Sequence, residues 1–478
     1  MERQVQITDL LNGIPHIEEL RAARDAERKS AWIVGGSVRD LLLQRVPADV
    51  DVTAADPEPL AQRFAGFVNG RVVPMDPERG IWRVGISANQ YFDFCRFRDS
   101  DITGDLLGRD FTMNAIALRL PERGDAGGLY DPLNGLDDIN ASVIRMVNRH
   151  AFQDDPLRIL RAFRFHAELD YAIDLATWDT LSQAVDRLPL VAPERILTEW
   201  WKLCSGGHAA ESIQLMDDAG ALTTLFPELR AAKGITQNAY HHLDVWEHTL
   251  LAVTYMARFL FHPDEPFGSL AKEFTSVYSD VHRRARLVFL ALIHDMGKPA
   301  SRVVQDDKVH FYGHEIVGAD MASAICRRYR MSREDTRIIT TVVRQHLRPL
   351  HLLNSFKRGD LTPKAMIKFF DDTGDCALDI LALAMADKSA GQGAAADPDI
   401  QQRLRDLYQT LFTFYHDHYL PAIEHPFLTG TVLTQQINIP TGPRIGHLLH
   451  RARNLQITGE FSTQDEALNW AARHRNEV

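Results

Sequence analysis

The sequence predicts an α/β head followed by a long all-α body, and two changes of pattern along the 478 residues carry that expectation. Up to about residue 147 the chain is built from short runs rich in Val, Ile and Phe. These are "WIVGG", "DVDVT", "GRVVPM", "IWRVGIS" and "YFDFCRF", which read as strands, with helices expected at Val38 to Gln44 and around Phe111 to Leu118. From Asp154 onward, beginning with "DDPLRILRAFRFHAELD", apolar residues recur at helical spacing nearly to the end. Small, polar "SAGQGAAADPD" (389–399) reads as a linker and "IPTGPRIG" (439–446) as a further break. The expected division is 1–147, 148–235, 236–390 and 391–478.

Composition sets the class. A chain this long exceeds one compact core and should form two to four domains. Its 45% hydrophobic and 24% charged residues suit a soluble globular protein. Cys95, Cys204, Cys326 and Cys376 lie far apart without a CxxC pair, which argues against a disulfide framework or a thiolate zinc site and fits a reducing cytoplasm. The N-terminal "MERQVQITDLLNG" has no basic-then-apolar leader pattern, and no apolar run approaches the roughly 20 residues that span a bilayer, so no membrane partner is expected. A formal charge of −11 would discourage nucleic-acid binding, but carboxylates gathered for metal binding also make a chain negative.

The chemistry begins in "GGSVRDLLLQRVPADVDV" (35–52). On a strand, Asp49 and Asp51 project from the same face, where two carboxylates repel unless a cation lies between them; hard oxygen ligands suit Mg²⁺. Gly35, Gly36 and Ser37 place backbone N–H groups at a helix start, where an anion is favoured, and Arg39 adds a positive charge. One turn could hold a triphosphate while the adjacent strand holds the metal that bridges it.

With "RDFTMNAIAL" (109–118), "DPLNGLDDI" (131–139), "DDPLRILRAFRF" (154–165) and "ERILTEWWKL" (194–203) following in order, the first 205 residues or so resemble a known family. It is the nucleotidyltransferases that build or repair the CCA end of tRNA, in the class that also includes bacterial poly(A) polymerases. The resemblance implies a polymerase-β-like mixed sheet in the head, then a helical neck and body. It implies that Asp49 and Asp51 bind catalytic Mg²⁺, with Asp93 a candidate third carboxylate. Arg109 and Asp110 resemble the family's ribose and phosphate contacts, Asn114 supports their turn, and Arg161 and Arg164 are expected at triphosphate or tRNA backbone. CTP, ATP and a tRNA 3′ end are the implied partners.

Base choice without a template is expected from Asp155 and Arg158, read as three apart on one helix face. A carboxylate accepts and a guanidinium donates, matching the amino group and ring nitrogen that cytosine and adenine share; uracil or guanine would leave the carboxylate unpaired. Asp154 stands where the family usually has Glu, and Gly108 where it usually has Arg. The segment "RFRDSDITGDLLGR" (96–109) is short, and the longer flexible loop of full CCA-adding members resembles the element that switches the pocket from C to A. Both a CC-adding and a full CCA-adding enzyme therefore stay open. The first would require a separate A-adding enzyme on the same tRNA.

Between 240 and 390 stand "YHHLDVWEHT", "ALIHDMGK", "YGHEIVGAD", "VVRQHLRPL" and "MADKSA". His248, His294, Asp295 and Asp387 resemble the four ligands of an HD phosphohydrolase domain, and His314 and His346 fall where two-metal members supply more. Imidazole with carboxylate suits Mn²⁺, Ni²⁺, Fe²⁺ or Mg²⁺. The last segment resembles the family's tRNA-gripping helical tail, with Val432 where Asp is frequent. Arg195 in the neck and Arg444 and Arg451 in the tail, alongside His447, His450 and Arg453, are the expected RNA contacts. A poly(A) polymerase is the rival of the same class. An HD phosphohydrolase with an RNA-binding N-terminal half is the rival of another class, and the paired Asp49 and Asp51 argue against it.

Overall fold

The structure, a computed structural model, describes residues 7–47, 49–87, 90–121, 127–237, 242–391, 397, 399–440 and 442–475. Most of the expected 389–399 linker and Thr441 of the 439–446 break lie outside the described residues. The chain divides into two compact units, 1–199 with 215–225, and 200–214 with 226–478.

The first unit is built on a seven-stranded mixed sheet in the order β3-β4-β5-β2-β1-β6-β7. Its strands are β1 (Ala31–Val34), β2 (Asp49–Ala54), β3 (Arg71–Asp76), β4 (Ile81–Ser87), β5 (Gln90–Arg96), β6 (Ala117–Arg119) and β7 (Gly128–Tyr130). β2 and β5 run parallel, and every other neighbouring pair is antiparallel. Alternation decides the faces. Val50, Val52, Phe92 and Phe94 are buried, with Phe64 of helix Pro57–Val68 packed 4.6 Å from Phe92 and 5.5 Å from Phe94 between ring centres. Asp49, Asp51, Tyr91 and Asp93 must then project from the opposite face.

Two local expectations are corrected. Phe111 to Leu118 is not a helix: a 3₁₀ turn at Thr112–Asn114 leads into β6, whose Ala117 and Leu118 pair with Val34 and Ile33. Pairing with the central strand overrides local propensity. Asp155 is also not on the helix of Arg158. It stands extended at φ −146°, between the short helix Ala151–Asp154 and helix Leu157–Leu169, because a residue before proline is driven out of the helical region. The helix expected at 38–44 spans Gly36–Leu42.

In the second unit, helices Val245–Phe261, Val281–Ile293 and Ala377–Ala390 pack together. The last is buried at nearly every position, as expected of a helix apolar all round. Asp244 and Glu247 close a capping box that fixes the start of the first helix one turn before His248. The tail has its own small core around Leu433, Leu448 and Phe461, against which Val432 packs. No helix among the described residues is long and apolar enough to cross a membrane.

Candidate active sites

Three carboxylates meet on the free face of β2 and β5. The parallel register sets Asp51 beside Asp93 and Asp49 beside Tyr91, whose hydroxyl donates to Asp49 at 3.2 Å. Ser37 fastens the glycine turn to this strand: its Oγ accepts the Asp51 N–H at 2.9 Å and donates to the Asp49 carbonyl at 3.2 Å. Gly35 has φ +73°, and a Cβ there would lie 2.6 Å from the Arg109 guanidinium and 3.2 Å from Asp51 Oδ2. Only glycine admits that close approach. Burial raises the pKa of Asp51 to about 6; Arg109 opposes the rise, and Asp49 and Asp93 add to it. Such a carboxylate, short of positive charge, fits a cation held by Asp49 and Asp51.

Asp93 already has its cation. Arg83 on β4 lies opposite it in register and donates twice, each at 2.7 Å, while its guanidinium lies 3.8 Å over the Tyr91 ring. Sequence reasoning missed Arg83, because nothing in "IWRVGIS" tells which strand it will face.

Asp110 is a buried hub. Burial alone would raise its pKa, but Arg161 at 2.8 Å, the Asn114 amide at 3.1 Å and the Phe111 N–H hold it far below the usual carboxylate range. Arg39 donates to Asn114 at 2.9 Å and lies over Phe165. Arg164 is buried over the same ring and meets Glu199 at 3.0 Å. Arg39, Arg161 and Arg164 thus all have protein partners, and Glu199 is a further member that the sequence did not suggest. Arg109 donates to Asp105 at 2.9 Å.

The expected base readers have separate partners. Asp155 accepts from Arg195 at 2.7 Å and from the Leu157 N–H at 3.2 Å. Arg158 donates to the Gly108 carbonyl at 2.6 Å, an oxygen that Arg98 also reaches at 2.9 Å. Asp154 is exposed. The short 96–109 segment contains a helix, Ile102–Leu107, capped by Asp101 and tied by Asp105 to both Arg98 and Arg109.

The six residues expected at the second site converge. His248, His294, Asp295 and Asp387 form one group of potential ligands and Asp295, His314 and His346 another, all buried, with ligand atoms in each group within 4.8 Å of one another. Asp295 belongs to both: Oδ2 lies 3.1 Å from His294 Nε2, and Oδ1 lies 3.3 Å from His314 Nε2. The imidazoles are fixed from behind. Nδ1 of His294, His314 and His346 donates to the carbonyls of Ala291, Phe311 and Val343 at 2.9, 2.7 and 2.7 Å, which turns each Nε2 towards the site. A Cβ on Gly297 would overlap the His314 carbonyl oxygen, so the glycine lets that chain segment close in.

Burial pushes His346 down to about 3, and burial lowers His248 against the pull of Asp387. For His294 burial is outweighed by Asp295 and Asp387, which lift it to about 10. His294 Nε2 faces Asp295 Oδ2 at 3.1 Å and His248 Nε2 faces Asp387 Oδ1 at 2.9 Å, and imidazole nitrogens and carboxylate oxygens turned inward in one buried cluster are a donor set that a divalent cation fits. Lys298, 2.6 Å from Asp295 and 2.8 Å from Gln237, and Lys388, 3.0 Å from Asp387, complete the charge balance. Lys298 was legible: in "HDMGK" it stands three residues after Asp295.

On tail helix Pro443–Ile457 the basic residues divide. Arg444, His447 and Arg451 are exposed at helical spacing, whereas Arg453 and His450 meet Asp371 at 2.8 and 3.3 Å. Arg451 also lies 5.4 Å over Trp470.

Comparisons with known proteins agree with this anatomy. Family profiles match the poly(A) polymerase head domain over residues 31–145, the probable RNA and SrmB-binding site of polymerase A over 170–233 and the HD domain over 245–370. An A-adding tRNA nucleotidyltransferase of Deinococcus radiodurans is 31% identical over 94% of this chain and 96% of its own length. A CC-adding tRNA nucleotidyltransferase of Thermus thermophilus is 30% identical over 92% of each chain. Among solved structures, the Thermotoga maritima CCA-adding enzyme complexed with tRNA has the same fold, with a TM-score of 0.62 at 20% identity over 98% of each chain. With an identity of 31% that extends over nearly the whole of both sequences, the chain belongs to the tRNA nucleotidyltransferase family.

Proposed function

We propose that the first unit adds nucleotides from CTP or ATP, without a template, to the 3′ end of tRNA. The observation that carries this is the set of Asp49, Asp51 and Asp93 on one sheet face, beside a glycine turn that Arg109 covers. Mg²⁺ held by Asp49 and Asp51 would polarise the α-phosphate and lower the pKa of the attacking 3′-hydroxyl. Ser37 keeps the turn and the strand in register, and Gly35 leaves room for phosphate against backbone. Arg109, in reach of Asp51 and steadied by Asp105, offers donors to the phosphates. Arg83, donating twice to Asp93, fixes the third carboxylate in place on the sheet face.

Asp155 and Arg158 remain our base readers, approaching from a pre-helical turn and a first helical turn rather than from one helix face. Arg195 engages Asp155 and the Gly108 carbonyl engages Arg158, and a base with the cytosine or adenine edge would bridge the two readers. Because Gly108 ends the short 96–109 segment, that segment bears directly on Arg158. An ordered six-residue helix with both ends tied gives little freedom to reshape the pocket, which supports a single specificity. Our reading is CC addition, with the terminal A left to a separate enzyme. The second reading is A addition alone, favoured by the A-adding Deinococcus relative.

The HD half, in our reading, hydrolyses a phosphate ester. Mn²⁺, Ni²⁺, Fe²⁺ or Mg²⁺ held by the His and Asp groups would supply an activated water. Lys298 and Lys388 would meet the phosphate. We retain the four-part division at 147, 235 and 390, and place the protein in the cytoplasm on the strength of its four free cysteines.

Incubation with tRNA truncated after the discriminator base, after C and after CC, with each NTP separately, tests the transfer reading. Two cytidines added and then arrest, even with excess ATP, are expected. Extension by ATP of the CC-ended tRNA alone would establish the A-adding reading, and complete CCA synthesis would reject single specificity. Failure with every tRNA would remove the function.

A further inference from the structure

We propose that Tyr312, stacked on His310, is a nucleobase platform at the mouth of the HD site, so that this site selects phosphate esters carrying a base. The inference rests on the hydrolytic reading above and adds the part of the substrate that the metal-capable residues do not touch.

The hairpin Arg302–Gln305/Lys308–Phe311 leads straight into the helix that begins at His314. His310 and Tyr312 project on the same side of it, ring centres 5.1 Å apart and planes within 7° of parallel. Tyr312 is 67% exposed although it is two residues from the buried His314, so its ring stands in water directly beside the buried groups. Both rings line the cavity that also contains Asp295, Lys298, His314 and Lys388.

Size decides what lies where. The cavity measures about 200 Å³. Sites that enclose a whole small ligand start at roughly 300 Å³, so this one takes a phosphate and part of its sugar, and the rest of the substrate must rest on the rim. At its floor stand two lysines and the His/Asp groups, all suited to a phosphate. At its rim stands an aromatic pair already in stacking geometry, half-buried His310 and exposed Tyr312. Base–aromatic stacking tolerates any base, since each has a π-face, and it requires no further hydrogen-bonding groups at the rim. The same chemistry serves a free nucleotide or the end of an RNA strand.

The test compares guanosine 5′-monophosphate with ribose 5-phosphate in the full-length protein with Mn²⁺; guanine is a base that the Asp155–Arg158 reading excludes from the head. The wild type should prefer the nucleotide in kcat/KM. Tyr312→Ala should lower that preference roughly fivefold to a hundredfold, mainly through KM, and Tyr312→Phe should restore it. An equal preference for the two esters in the wild type, or a ratio unmoved by Tyr312→Ala, would overturn the platform. If neither ester is hydrolysed, the hydrolytic reading fails by itself, and calorimetric binding of the same pair to wild type and Tyr312→Ala decides the platform by the same ratio. A 3′-phosphorylated trinucleotide run beside guanosine 3′-monophosphate separates the sources: the one losing more on Tyr312→Ala is the natural class.

Discussion

The two sites solve one problem, holding carboxylates together, in opposite environments. On the sheet, Asp49 is exposed and Asp51 and Asp93 are half-buried; Tyr91 donates to Asp49, Arg83 donates to Asp93, and Arg109 opposes the burial that raises Asp51. In the helical unit the potential ligands are sealed: His248 and His294 are 0% exposed and Asp295 is 2%. There backbone carbonyls hold Nδ1 of His294, His314 and His346, and Lys298 and Lys388 sit directly on the carboxylates. The contrast teaches that openness follows from the substrate. A site that must receive a tRNA end and a triphosphate keeps its acids on an accessible face. A site for one ester group can bury them, at the cost of needing every charge paired.

The comparison breaks most sharply by double dissociation. Asp49→Ala or Asp51→Ala should reduce nucleotide addition by more than about 100-fold, since losing even a hydrogen-bond partner of a metal ligand costs about 10–100-fold, and should spare ester hydrolysis. His294→Ala should do the reverse. Radiolabelled addition and phosphate release, assayed on the same preparations, check both; loss of both activities in a folded variant would unite the two sites.

A smaller effect is expected at the base readers. Asp155→Ala should narrow the preference for CTP over UTP by about 10–100-fold, the range of one strong hydrogen-bonding contact. Arg195→Ala, which frees Asp155, should leave that preference in place. Unchanged selectivity in Asp155→Ala moves base reading elsewhere.

The smallest effect sharpens the electrostatic half of the contrast. Asp51 has a folded-state pKa of about 6 against an ordinary 3.8, so its ionisation opposes folding of the metal-free protein above about pH 6. That cost fades as the pH falls towards 4, where the folded form is protonated. Asp51→Asn in EDTA should therefore gain on the order of 1 kcal/mol at pH 7.5 and little at pH 4. Calorimetric melting at the two pH values reads the difference, and an equal gain at both would refute the charge argument.

By itself the sequence picked out the side chains that the fold gathers at the two sites. The period of a strand puts Asp49 and Asp51 on one face whatever lies around them. A proline after Asp155 was also a readable signal that the helix could not include it, although helical spacing from Asp154 onward suggested otherwise. Lys298 follows Asp295 at a spacing visible in the sequence. Other features came only with the tertiary structure. Phe111 to Leu118 became a turn and a strand because β1 offered it a partner. Arg83 found Asp93 because two strands adopted one register, and Arg158 found the Gly108 carbonyl across 50 residues. Backbone period and proline sterics act within a few residues, so they can be read along the chain. Strand register and the partner of a buried charge are fixed only when distant segments pack and each unpaired group must find its complement.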